Sequence, residues 1–274
     1  SSACLLLPFG KLADIYGRKR IFLMGMILFT FISFLLCFSD SSANIIFLRI
    51  IQGMGAAMIF GTALAILSST YEPEERGRVL GINVASVYLG LSLGPFLGGI
   101  ITQNLSWRFV FGMNVPFGII VVLFTVLKVK EEWYGRRNEV FDFSGSAMYI
   151  LGVSLVMVGF SKIPKLETLP LLMGGVLALF IFGYRESKTE NPILHIEMIT
   201  KNKVFAYSSL AALIHYGSTH GLSFLLSLFL QSVKGLQPDK TGLILVSQPI
   251  VQSLLSPYAG RISDRIEPRI VSSI

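Results

Sequence analysis

Long runs of apolar residues alternate with short polar segments along the whole sequence. Runs such as residues 21–39, 79–101 and 204–230 have lengths of about 17–27 residues, which a helix needs to cross a lipid bilayer. A helix also satisfies its own backbone hydrogen bonds, as any segment inside a bilayer must. The pattern therefore predicts an all-α, polytopic transmembrane helical bundle, with about nine spans plus the end of one more.

Composition supports this fold class, and the distribution of charge gives an orientation. The chain is 53% hydrophobic and 14% charged, whereas soluble domains are about a quarter charged. A net charge of +7 can indicate a nucleic-acid partner, but most basic residues collect in alternate polar segments, as in cytoplasmic loops of membrane proteins. The intervening segments carry only Arg108, Lys162, Lys165, Lys234 and Lys240. We therefore expect a multi-pass protein in the lipid bilayer of the plasma (inner) membrane, with residues 10–20 cytoplasmic and no nucleic-acid partner.

A charged motif occurs twice. Residues 10–20, GKLADIYGRKR, which we call the basic segment, have a partial copy in GRISDR at residues 260–265. In both copies a glycine precedes an aspartate by four positions, basic residues surround the aspartate, and an apolar run comes before. An internal repeat at this distance predicts two related halves.

Arg49 is the one basic residue well inside an apolar run. Its long side chain either reaches out to the membrane interface or faces the interior with a function, because a charge inside the bilayer is costly. Gln52 lies three residues further on and shares its helix face. Gly53 begins a run of small residues that favours close helix packing.

Glycines recur four residues apart in GLSLGPFLGG, residues 90–99. This spacing lets another helix approach closely, and Pro95 removes a backbone hydrogen bond and kinks a helix. Asn83 and Ser86 share a face with Gly90, where they either line a cavity or form structural hydrogen bonds.

The apolar run 204–230 carries a polar stripe that includes His215, Tyr216 and His220. Histidine titrates near neutral pH, so these residues can relay protons or contact a cation. The alternative is a structural histidine that is hydrogen-bonded to a neighbouring helix.

Three of these segments, in order, resemble the signature motifs of the major facilitator superfamily, drug:proton antiporter branch: the basic segment, LRIIQGMGAA at residues 48–57, and GLSLGPFLGG. Trp107-Arg108 with Asn114-Val115-Pro116 and Gly118 resembles a further motif of the fourteen-helix members. The resemblance implies a secondary active transporter that exports hydrophobic or cationic drugs in exchange for protons by alternating access. It also implies a monomer that needs no cofactor.

The fourteen-helix pattern suggests a division of the chain. We expect an N-terminal half bundle at residues 1–127, two inserted linker helices with flanking cytoplasmic loops at 128–203, and the start of a C-terminal half bundle at 204–274. Because the sequence begins inside an apolar run, we expect it to be a fragment of a longer transporter.

The resemblance also implies residue roles. The basic segment matches the cytoplasmic gating loop, which in such transporters locks the two halves in the outward-open state; Ile15 in the first copy, and Glu267 and Pro268 in the second, depart from the pattern. Gating-loop candidates are Gly10, Asp14, Gly17, Arg18, Lys19, Gly260, Asp264 and Arg265. Proton-coupling candidates are Arg49, Gln52 and Gly53. Antiporter-motif residues are Gly90, Gly94, Pro95, Gly98 and Gly99. Possible cavity-lining residues are Asn83, Ser86, Asn114, His215, Tyr216 and His220.

Proton coupling normally requires an ionisable group within the membrane, yet all 16 acidic residues lie in polar segments or at the ends of apolar runs. We expect the proton-carrying carboxylate on a first helix that precedes this sequence. Two alternatives to drug export remain: a carrier of a defined metabolite such as a sugar, siderophore or amino acid, and a membrane receptor that does not transport. An enzyme or a metal site is not expected, because no nucleophile–base pair, metal-ligand spacing or phosphate loop occurs.

Overall fold

The computed structural model describes residues 2–137, 139–162 and 168–266, and these residues form helices without any strand. The first helices are α1 (Ser2–Tyr16), α2 (Arg18–Leu36), α3 (Ser42–Thr70), α4 (Arg76–Asn104), α5 (Arg108–Gly112) and α6 (Asn114–Lys128). The later helices are α7 (Phe143–Ser161), α8 (Leu169–Glu186), α9 (Ile196–Thr200), α10 (Lys203–Leu228) and α11 (Pro238–Ser263). A π-helical turn, Phe229–Val233, follows α10.

Six segments are long and apolar enough to cross a membrane, which confirms the predicted fold class. They are Arg18–Leu36, Ser42–Thr70, Arg76–Asn104, Arg108–Lys128, Phe143–Ser161 and Leu169–Glu186. Helices α10 and α11 have 26 residues each, enough for a crossing, but they are less apolar. Because α5 and α6 form one segment, the described residues hold eight crossing-length segments after α1, one fewer than the approximate number predicted.

The contacts between residues divide the chain into two compact units. The first contains Ser1–Ser69 and Ile101–Ile196, and the second contains Thr70–Ile100 and Glu197–Ile274. The predicted division at residues 127 and 203 is a different description, based on sequence position, and it stays a prediction.

In the first unit, α2 and α3 cross closely at two glycines. A Cβ atom added to Gly25 would lie 2.6 Å from the Met58 Cβ atom, and one added to Gly55 would lie 2.9 Å from the Gly25 carbonyl oxygen. Only glycine allows two helix backbones to approach this closely. This crossing brings the middle of α3 against α2, beside a small core of Ala13, Ile21 and Met58.

Helices α7 and α8 form a tightly packed hairpin in the same unit. A Cβ atom at Gly152 would lie 2.8 Å from a methyl group of Leu179, and one at Gly175 would lie 2.8 Å from the Val156 backbone nitrogen. At the start of α7, the Asp142 carboxylate accepts a hydrogen bond of 2.9 Å from the Gly145 amide. Burial raises the pKa of Asp142, but hydrogen bonds from Arg185, Gly145 and Ser144 outweigh it and hold this pKa well below its usual range.

In the second unit, small residues allow α4 and α11 to approach. A Cβ atom at Gly81 would lie 2.5 Å from the Ser256 carbonyl oxygen. Helix α10 begins with an N-cap, because the Asn202 side chain accepts a hydrogen bond of 3.1 Å from the Phe205 amide.

The structure corrects the prediction of a loop at residues 10–20, because these residues are almost entirely helical. Helix α1 continues through Gly10 to Tyr16, and α2 begins at Arg18, so Gly17 alone separates the two helices. Gly17 has φ = 111°, a backbone conformation that side chains other than glycine rarely adopt. The charged residues that suggested a loop therefore lie at the ends of two helices.

Candidate functional site

Arg49 lies on α3 and is held by a chain of hydrogen bonds to α2. Its guanidinium Nη1 donates to the Gln52 Oε1 atom at 2.9 Å, and the Gln52 Nε2 atom donates to the Ser33 hydroxyl at 2.8 Å. Ser33 in turn donates to the Phe29 carbonyl oxygen at 2.7 Å. Gln52 is only 2% exposed, so its amide must be hydrogen-bonded on both sides, and it fixes the Arg49 side chain.

An aromatic ring completes the surroundings of Arg49. The guanidinium carbon lies 4.6 Å from the centre of the Phe111 ring, within the range of a cation–π contact. Among the described residues no carboxylate forms an ion pair with Arg49, and Arg49 itself is exposed. Of the three predicted proton-coupling residues, the structure joins Arg49 and Gln52 and places Gly53 half-buried beside them.

The turn at Gly17 organises the basic segment. The Arg18 Nε atom donates to the Asp14 Oδ1 atom at 2.8 Å, and the Arg18 Nη1 atom donates to the Ala65 carbonyl oxygen near the end of α3 at 3.1 Å. Arg18 therefore connects the end of α1, the start of α2 and the end of α3. Gly10 lies within α1, where an added Cβ atom would have no described atom within 4 Å beyond its chain neighbours and the backbone of its own helix.

Acidic residues between α6 and α7 contact the basic segment, and the sequence did not predict this. The Glu132 Oε1 atom accepts hydrogen bonds from the backbone amides of Lys19 and Arg20 at 2.8 and 3.4 Å. Lys11 is 6% exposed and forms an ion pair with Glu139. Burial raises the pKa of the Glu139 carboxyl, but hydrogen bonds from Lys11 and Arg136 outweigh it and hold this pKa below its ordinary value. The Glu139 carboxyl is therefore ionised at neutral pH.

The second copy of the motif contacts the N-terminus of α4. The Asp264 carboxylate accepts hydrogen bonds from the backbone amides of Gly77 and Arg78 at 2.6 and 2.8 Å. A negative charge is favourable at a helix N-terminus, where backbone amides are unpaired. Gly260 lies against the Gly77 backbone, and Arg265 is exposed. Glu267 and Pro268 lie outside the described residues.

The glycines of the antiporter motif differ from those at the α2–α3 crossing. Helix α4 continues through Pro95, and beyond the backbone of its own helix and its chain neighbours, a Cβ atom added at Gly90, Gly94, Gly98 or Gly99 would have no described atom within 4 Å. The close helix approach expected from their spacing therefore does not occur within the described part of the chain.

The possible cavity-lining residues are spread over three helices. Ser86 donates to the Ile82 carbonyl oxygen of its own helix at 2.9 Å, and Asn83 is half-buried on the same helix. Asn114 is half-buried at the start of α6. The exposed residues His215, Tyr216 and His220 follow one another on α10, with the first two rings 5.6 Å apart.

Sequence reasoning missed Ser33, Phe111, Glu132 and Glu139, because each contacts its partner from another helix or segment. The one available signal was the acidic pair Glu131-Glu132, which interrupts an otherwise basic stretch. Within the described residues, no group of three or more histidine, cysteine or acidic side chains is placed to hold a metal ion.

Comparison with known proteins identifies relatives along the whole chain. The family model described as Major Facilitator Superfamily matches residues 1–274. Riboflavin transporter RibZ of Clostridioides difficile (strain 630) is 32% identical over 95% of this chain and 57% of its own length. Multidrug resistance protein Stp of Mycobacterium tuberculosis (strain CDC 1551 / Oshkosh) is 30% identical over 98% of this chain and 51% of its own. Multidrug resistance protein 3 of Bacillus subtilis (strain 168) is 32% identical over 92% of this chain and 50% of its own length. The chain thus spans about half the length of the curated relatives it matches.

Proposed function

Because the chain belongs to the Major Facilitator Superfamily, we propose that it is part of a secondary active transporter that exports hydrophobic or cationic compounds in exchange for protons. The three motifs that resemble this family lie in a chain that the family model matches from end to end. Two of the relatives named above are multidrug resistance proteins, which supports export of such compounds. We further propose a monomer in the plasma (inner) membrane, with the basic segment in the cytoplasm.

The surroundings of Arg49 carry the proposal of proton coupling. A guanidinium within a membrane-spanning helix donates to the neutral Gln52 side chain, which in turn donates to Ser33, and no described carboxylate balances its charge. Uncompensated charge within a membrane is unfavourable. Arg49 is therefore a suitable counter-charge for an acidic group that gains and loses a proton during the transport cycle.

The two aspartates of the repeated motif support a gating role. Asp14 holds Arg18 against the end of α3, and Asp264 accepts the first amides of α4. The Asp264 charge at the N-terminus of α4 contributes about 0.3–1 kcal/mol at an exposed position. The Asp14–Arg18 ion pair, whose partners are four residues apart, contributes about 0.3–0.5 kcal/mol. Bonds of this strength can hold a gate and still break in every cycle.

Transport of a defined metabolite is the second candidate, and the riboflavin transporter among the relatives favours it. Both candidates use the same fold and differ in the bound compound. A direct flux measurement separates them.

The experiment uses the full-length parent protein in proteoliposomes. A pH gradient is imposed in each direction, and the fluxes of ethidium and of riboflavin are followed for the wild type, for Arg49→Ala and for Lys162→Ala. Lys162 is an exposed basic residue in a polar turn, so its variant controls for the loss of a positive charge.

Antiport predicts that ethidium moves against the proton flow in the wild type and in Lys162→Ala. In Arg49→Ala the dependence of this flux on the pH gradient is lost. Movement of ethidium with the protons, or without regard to the gradient, would contradict antiport. Riboflavin flux without ethidium flux would establish the metabolite carrier instead.

A further inference from the structure

The segment between α6 and α7 is bound to the basic segment along its backbone. We call residues 130–137 and 139 the strap. The Arg18 amide donates to the Trp133 carbonyl oxygen at 2.9 Å, and the Gly135 and Arg136 amides donate to the Asp14 carbonyl oxygen at 3.1 and 3.0 Å. These hydrogen bonds lie on both sides of the turn at Gly17, so the strap follows the turn instead of touching it at one point.

Glu132 of the strap caps the N-terminus of α2 by accepting hydrogen bonds from its backbone amides. Its carboxylate accepts the amides of Lys19 and Arg20, which have no partner within the first turn of the helix. The approach is so close that a Cβ atom at Gly17 would lie 2.6 Å from the Glu132 Oε1 atom. The glycine of the motif thus serves the contact with the strap as well as the turn.

Glu139 anchors the other end of the strap. It pairs with Lys11, whose side chain is 5% exposed. Separation of this pair would leave the buried Lys11 charge without a partner, which is strongly unfavourable. Any movement of the basic segment away from the strap would therefore expose or isolate the Lys11 ammonium group.

We propose that the strap is a positioning element of the gate, in which Glu132 and Glu139 hold the basic segment in one conformation and move with it during the transport cycle. The strap leads directly into the α7–α8 hairpin, whose first residue follows at Phe143. The inserted hairpin thereby acts on the gate through the chain that joins it to α6. This proposal rests on the gating role of the basic segment.

The first measurement is hydrogen exchange of the backbone amides at residues 17–20 in the full-length protein. Glu132→Ala removes the acceptor for Lys19 and Arg20 and is expected to accelerate their exchange about fivefold, the effect of losing a helix cap. The matched control is Glu131→Ala, because Glu131 is the exposed neighbour in the same segment. Unchanged exchange in Glu132→Ala would overturn the proposed attachment.

The second measurement follows the conformation of the gate in the transport cycle. The outward-open population is measured by labelling an externally placed reporter cysteine with an impermeant reagent. Glu139→Gln is expected to lower this labelling by about fivefold. The exchanged pair Lys11→Glu with Glu139→Lys is expected to restore it when Arg136→Gln is also made, because Arg136 would otherwise face the new lysine. The exchanged variant also controls for a single substitution that fails to fold.

The outcomes separate the two proposals. Faster amide exchange in Glu132→Ala, combined with unchanged labelling in Glu139→Gln, would mean that the strap only stabilises the fold, and would overturn its positioning role. Failure of the exchanged pair to restore labelling lost in Glu139→Gln would also contradict it. If Glu139→Gln lowers labelling as expected but the wild-type protein shows no ethidium flux, the strap would be supported and drug export overturned.

Discussion

At the scale of single residues, Gly10 and Gly17 belong to one motif but have different structural roles. Gly17 has φ = 111° and faces the Glu132 carboxylate, whereas Gly10 lies inside α1 with open space beside it. A glycine inside a helix is a less favourable residue than alanine. The two positions therefore give a matched pair for the same substitution.

Gly17→Ala is expected to lower the free energy of unfolding by about 1–3 kcal/mol, because alanine is strained at this φ value. Gly10→Ala is expected to be neutral or to stabilise by about 0.5–1 kcal/mol, since it removes helix-disfavouring flexibility. Thermal unfolding of the full-length protein in detergent measures both. Equal effects of the two substitutions would contradict the assigned roles.

Residue spacing predicted one half of the Arg49 network. Arg49 and Gln52 are three residues apart on one helix, so their contact follows from helix geometry. Ser33 and Phe111 lie on other helices, and a single sequence holds no record of which helices pack together. The same reason explains why the contacts of Glu132 and Glu139 were not predicted.

At the scale of helices, apolar length predicted the elements well, and the polar segments were predicted less well. Residues 10–20 were expected to form a loop because they are charged, yet a single glycine makes the turn there. Glycine spacing alone also did not predict where helices approach each other closely. The close approach occurs at Gly25 and Gly55, where two helices cross, and not at Gly90 to Gly99 within the described residues.

The N-terminus of α4 gives a prediction at this scale. Asp264→Asn keeps a side-chain oxygen but removes the charge that faces the Gly77 and Arg78 amides. We expect a loss of about 0.5–1 kcal/mol in local stability, measured as two- to fivefold faster exchange of these amides in the full-length protein. The control is Glu190→Gln, since Glu190 is an exposed acidic residue in another polar segment. A similar acceleration in the control would point to a general effect of charge.

At the scale of the whole molecule, the distribution of charge and the number of crossings depend on each other. Basic residues are concentrated in alternate polar segments, and this alternation holds only if every intervening helix crosses the membrane. Six segments are apolar enough to cross by composition alone, while α10 is long but less apolar. Its less apolar character comes from polar residues such as His215 and His220, the same residues that we considered for a cavity.

The position of α10 is therefore the decisive point for the topology. If α10 crosses the membrane, the segment after α8 and the segment after α10 lie on opposite sides. We expect that, in a full-length protein with Cys4 and Cys37 replaced by serine, Lys234→Cys reacts with an impermeant maleimide on intact cells. Glu190→Cys and Glu72→Cys should react only after the membrane is opened, because their segments are rich in basic residues, which collect on the cytoplasmic side of membrane proteins. Residues 190 and 234 reacting from the same side would mean that α10 does not cross, and the polar stripe of α10 would then lie outside the membrane-spanning bundle.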